Sequence, residues 1–226
     1  GNPSTLKNVV KWLSCEKVGA VSCLKSPSGR RRLEGTYRQY YNVLRVAESK
    51  AWSTPIFHGE LSAFKRELLK RVGGFPTNVG SAESLAAMKI AALGYRAIIP
   101  SIVVSELIPL RGYAQWRIRR AQHLILHLIK TLLILRHYNR IFSSIVLMEA
   151  YLHLVNPWLL IMSGGLLLYV TMLRGVTLAL IFLVLGLVLL FVTSYRVWVT
   201  TQLFLIAAQL KSVWNKELVW SKQRKL

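Results

Sequence analysis

The 226-residue sequence contains no aspartate. Its acids are all glutamate, nine of them against 30 lysines and arginines, for a formal charge of +21. So basic a chain suits a nucleic acid, anionic lipid headgroups or a phosphorylated substrate. Nucleic acid is disfavoured, because no basic recognition helix interleaved with exposed aromatics and no zinc-finger spacing occurs. Only two cysteines are present, Cys15 and Cys23, too few for a disulfide framework. No secretory leader is visible, since "NPSTLKNVVKWL" reads as a capped amphipathic helix. The chain begins without methionine, as if in mid-domain. His123 and His127 have a metal-binding spacing but no third ligand near, so no metal is assigned to them.

What the chain has in quantity is apolar residues, at 53 % with a mean hydropathy of +0.39. They are unevenly spread. Residues 1–112 read as a water-soluble segment in which helical and strand patterns alternate, as in a layered α/β domain. "VGAVSCL" predicts a buried strand, "KSPSGRRRLEG" a basic loop, and "TYRQYYNVLRVAESKA" a helix. A strand and a Gly-Glu turn precede a helix from Ser62 that Gly73-Gly74 ends; another helix runs from Ala82 to Leu93. "YRAIIPSIVVSEL" predicts one or two strands.

From Tyr113 the pattern changes. Residues 113–150 predict amphipathic helices lying in a membrane interface. Residues 151–195 predict a transmembrane helical hairpin, with spans Tyr151–Leu173 and Val176–Ser194. Residues 196–226 form a basic amphipathic segment, readable as a surface helix or a third span. Lys and Arg crowd both 1–140 and the C-terminus, which places both on the cytoplasmic side of a multi-pass protein of the cell membrane.

Four stretches follow one another in order: "PIFHGELSAFKRELLKRVGGF", "GSAES…ALGYR", "SELIP" and "QWRIRRAQ". Together they resemble the C-terminal half of membrane-bound family 2 glycosyltransferases, the GT-A-fold group of cellulose and hyaluronan synthases, over most of residues 1–160. The fold class implied is α/β, a partial GT-A domain (1–112), followed by the interfacial helices and the hairpin. The resemblance maps acceptor binding onto His58, Gly59 and Glu60. It maps the catalytic base, which deprotonates the acceptor hydroxyl during inverting transfer, onto Glu83; the acid that precedes the base in the family is replaced by Ala82. A Gln-x-x-Arg-Trp motif maps onto Gln115, Trp116, Arg119 and Arg120, where arginines suit a departing diphosphate.

The resemblance also implies partners: a UDP- or GDP-linked sugar, a saccharide or lipid-linked acceptor for polysaccharide biosynthesis, and the lipid bilayer. A divalent metal, Mg or Mn, belongs to the family's N-terminal half; its Asp-x-Asp ligands are not in this sequence. The chain is therefore expected to be an incomplete hexosyltransferase, inactive alone. An alternative from another class is a catalytically inactive, glycosyltransferase-like membrane scaffold, favoured by Ala82 and the missing Asp. Oligomeric state is not set by the sequence.

Overall fold

The computed structural model describes residues 3–28, 32–77, 79–109 and 111–214. Helix α1 (Pro3–Leu13) leads into adjacent strands β1 (Val18–Ser22) and β2 (Leu24–Ser28), then helix α2 (Arg32–Ala51). A loop brings β3 (Ser62–Phe64) and α3 (Arg66–Arg71), followed by α4 (Ala82–Ala92), β4 (Arg96–Ile98) and β5 (Val103–Leu107). The remainder is helical: α5 (Tyr113–Leu133), α6 (Arg140–Ala150), a π-helical turn (Tyr151–Val155), α7 (Asn156–Arg174), α8 (Thr177–Leu189) and α9 (Thr193–Trp214).

β1 is buried along its whole length because it is central, with β3 antiparallel on one side and β4 parallel on the other. α4 lies over this sheet and has no polar face: Ser84 to Met88 are all buried. A helix apolar all round is a core helix. Ala87, Met88 and Ala91 of α4 join Ala20, Phe57 and Ile99 in the main core, which Tyr138, Phe142 and Val146 close from the α6 side. The second sheet is one parallel pair, β2 with β5. β2 runs through Lys25–Ser28, where a loop was expected.

The expected fold class needs correction. Nine α-helices against five short strands, among the described residues, make the chain mostly helical with small sheets. α5, expected to lie in a membrane interface, packs on α4, α6 and α9, burying His127, Leu128 and Thr131. Its polar stripe faces inward. The two-span hairpin is not formed either. α8 has 13 residues, roughly 20 Å at 1.5 Å per residue, where about 20 residues are needed to cross. Beyond it the chain bends by 100° into α9. α9 returns to pack on α5 and α2, burying Val197, Thr201, Gln202, Leu205 and Ala208.

The multi-pass membrane topology is corrected on the same grounds. Among the described residues, one helical run, Arg140–Arg174, is long and apolar enough to cross a membrane, or two if the bent α8–α9 pair counts as one. The basic tail from Asn215 lies outside the described residues.

Pro157 lacks the N–H that would reach back to residue 153, and the π turn just before it absorbs the break. Gln209 of α9 donates to the carbonyls of His153 (3.2 Å) and Leu154 (3.3 Å), and Trp158 donates to Gln209 Oε1 at 2.8 Å. That stitch seats α9 against the π turn and places both beside one cavity.

Candidate active site

A cavity of about 470 Å³ opens between the 56–60 loop, the start of α4, and helices α2, α5 and α9. The loop is fastened on both flanks by hydroxyls. Ser22 of β1 accepts from the His58 N–H at 2.9 Å and donates to the Leu61 carbonyl at 2.8 Å. Ser84 of α4 accepts from the Phe57 N–H at 3.0 Å. A loop held by β1 and α4 cannot drift from the first turn of α4, where Glu83 sits.

Two glycines set the spacing around Glu83. A Cβ on Gly59 would lie 3.2 Å from Glu83 Oε1, so bare backbone faces the carboxylate there. A Cβ on Gly80 would fall 2.2 Å from the His123 ring, so α5 reaches the start of α4 only because that residue is glycine. Burial raises the Glu83 carboxyl above its ordinary value of 4.5. Its own backbone N–H, Lys25 and Arg120 oppose the rise, and Glu60 adds to it.

The facing wall is cationic. Lys25, Arg38, Arg45, Arg117 and Arg120 all line the cavity. Lys25 Nζ sits 2.8 Å from Glu60 and 3.1 Å from Glu106. Arg38 reaches Glu106 at 2.6 Å and Glu34 at 3.0 Å. Arg120 pairs with Glu106 and stacks on Trp116, its guanidinium carbon 4.7 Å from the ring centroid. Arg117 lies 4.0 Å over the Tyr37 ring and 3.6 Å from Glu34. Burial, then these cations, hold the His58 imidazole well below its usual value, so it is neutral at pH 7.

Of the residues singled out in the sequence, Glu83, His58, Gly59, Glu60, Arg120, His123 and His127 line this one cavity. Trp116 is buried behind Arg120; Gln115 is exposed; Arg119 is buried and outside the lining. His127 Nε2–H donates to the Pro55 carbonyl at 2.7 Å, and burial pushes the imidazole down to about 4. Sequence reasoning missed Lys25, Arg38, Arg117, Tyr37, Tyr41, Thr201 and Phe204. Arg117 and Arg120 could have been found together, three apart on one helix face. Thr201 and Phe204 carried no signal, because nothing local announces that α9 returns.

No family model matches the chain, and no curated protein sequence does. Among solved structures it is similar to the mannosyltransferase PcManGT from Pyrobaculum calidifontis in complex with GDP-Man and Mn2+, with 51 % identity and a TM-score of 0.82. The likeness covers 95 % of this chain and 59 % of that one, so the chain spans under two thirds of its neighbour's length. This corrects the expected kinship. The likeness found is to a mannosyltransferase bound to GDP-Man, where a cellulose- or hyaluronan-synthase-like enzyme was expected.

The neighbour's structure contains Mn2+, and the described residues here do not make a seat for one. The sequence has no Asp. Among the described residues no group of three or more His, Cys, Asp or Glu is arranged to hold a metal.

Proposed function

We propose that this chain carries the catalytic base and the acceptor-side wall of a glycosyltransferase site that takes mannose from GDP-mannose and passes it, with inversion, to a saccharide hydroxyl. One observation carries the reading: a desolvated carboxylate, Glu83, shares a cavity with a surplus of oriented cations. The 51 % identity to a protein bound to GDP-Man supports the donor class. Tyr37, Tyr41 and Phe204 add aromatic surface on which a sugar ring can stack.

In this mechanism the acceptor hydroxyl oxygen attacks the anomeric carbon from the face opposite the diphosphate. The carbon–oxygen bond to the diphosphate breaks, and its electron pair leaves on the phosphate oxygen. Glu83 takes the hydroxyl proton. Lys25, Arg38, Arg117 and Arg120 meet the charge that develops on the departing diphosphate, as charge-assisted contacts already oriented before reaction. A carboxyl with a raised pKa is the better proton acceptor, at the cost of an acid limb displaced to higher pH.

The test is Glu83→Gln in the intact protein, with sugar transfer read as GDP release. Transfer should fall about 10²- to 10⁴-fold, the usual contribution of a general base, while GDP affinity stays within about threefold of wild type. A folded Gln variant that releases GDP at the wild-type rate would remove Glu83 from the role.

A further inference from the structure

The "SELIP" strand has had no role so far, and its burial pattern is inverted. On β5, Glu106 is 2 % exposed while Leu107 beside it is 80 % exposed. A one-residue slip of register would bury the leucine and free the acid, so the strand holds its register against the ordinary hydrophobic preference. The cause lies in what surrounds the carboxylate. Lys25 and Arg120 reach Oε1 and Arg38 reaches Oε2. Three cations from three separate elements, β2, α5 and α2, converge on one buried acid. The parallel register pairs Lys25 with Val104 and Pro27 with Glu106, which makes Lys25 and Glu106 diagonal neighbours on one face. Burial alone would raise the Glu106 carboxyl, but Arg120, Arg38 and Lys25 together hold it at about 2, so it is charged at any working pH.

Glu106 does not line the cavity, whereas its three partners do. It stands behind them. Arg120 shows the consequence: one edge is fixed by Glu106, one face rests on Trp116, and 32 % of the side chain stays exposed. We propose that Glu106 is the positioning residue that aims Lys25, Arg38 and Arg120 at the diphosphate of the donor. This rests on reading the cavity as a nucleoside-diphosphate-sugar site. The link runs on to the turn beside Glu83, because Lys25 also holds Glu60.

The proposal makes a prediction of sign. Deleting a negative charge beside three cations raises the local positive potential, which by charge alone tightens anion binding. If orientation is what Glu106 supplies, binding weakens instead. In calorimetric titrations of the intact protein, Glu106→Gln should weaken GDP binding about tenfold or more and leave guanosine binding unchanged. Glu106→Asp, which restores the charge, should recover part of the loss. Arg120→Lys keeps a charge but cannot hold Glu106 and a phosphate in one plane; it should weaken GDP about fivefold and serves if the Gln variant does not fold.

GDP affinity equal to or above wild type in folded Glu106→Gln, or in Arg120→Lys, overturns the proposal. So does an equal loss for GDP and guanosine, which would mark general distortion. A wild-type protein that does not bind GDP at all removes the donor reading, and this inference with it.

Discussion

Two buried ion clusters flank the same cavity, and they are built to opposite accounts. The first joins Lys25, Arg38, Arg117 and Arg120 to Glu34, Glu60 and Glu106. Cations outnumber carboxylates, and the surplus faces the cavity. In the second, Arg45 sits between Glu48 at 2.6 Å and Glu149 at 2.9 Å. Thr54 donates to Glu48 at 2.7 Å, and His153 lies 3.4 Å from Glu149 and 3.3 Å from the Tyr41 hydroxyl. Here carboxylates outnumber guanidinium, and a proton makes up the difference: burial raises Glu48, Arg45 opposes, and Glu149 adds, leaving it at about 8. The second cluster is complete in itself and ties α2 to α6. The first leaves one cation in excess over its carboxylates.

Substitutions in the two clusters should therefore fail differently. Arg45→Met leaves two buried carboxylates without their partner and should cost about 3–5 kcal/mol of stability, measured by denaturant unfolding. Arg120→Met removes a partly exposed partner, so the stability loss should stay near about 1 kcal/mol or below, while GDP affinity falls markedly. Equal stability losses would erase the distinction. Gly80→Ala drives a methyl into the His123 ring and should lower turnover about tenfold through the displaced α5 contact, with smaller effect on GDP affinity.

The clusters also divide by pH. The folded Glu48 carboxyl, at about 8, holds its proton more tightly than the unfolded one at 4.5, so its contribution is present below 4.5 and lost as pH rises through about 8. Glu106 runs the other way: held at about 2, it contributes above 4.5 and loses that contribution as pH falls through about 2. Glu48→Gln should flatten the decline in melting temperature between pH 4.5 and 8. Glu106→Gln should flatten the rise between pH 2 and 4.5.

Much of this was legible in local pattern. The starts and stops of α4 were readable because Gly94, at φ +89°, ends it and Glu83 sits in its first turn. The Gly59-Glu60 turn, α5 and α6 were readable from turn chemistry and periodicity, but the strand expected before that turn is loop, and β3 occupies Ser62–Phe64 where a helix was expected. What failed depended on distance along the chain. Lys25 was read into a loop because Pro27, Ser26 and Ser28 look like turn residues; pairing with β5 makes them a strand. α8 and α9 were read as a span and a surface helix. Composition could not reveal the break at 190–192 or the packing of Thr201 and Gln202 inside the body. Glu34 and Glu48 also pair within α2, with Arg38 and Arg45, but the buried acids Glu106 and Glu149 are matched by guanidiniums on other elements that local pattern does not show.

On the proposed reading, the first cluster serves the donor's diphosphate and the second does not. The most direct test compares the affinities of GDP and guanosine, by calorimetry on the intact protein, in Arg120→Ala and Glu48→Gln beside wild type. The account predicts that wild type prefers GDP, that Arg120→Ala shrinks the preference about tenfold, and that Glu48→Gln leaves it intact. A preference unchanged in Arg120→Ala, or one lost equally in both variants, would contradict it.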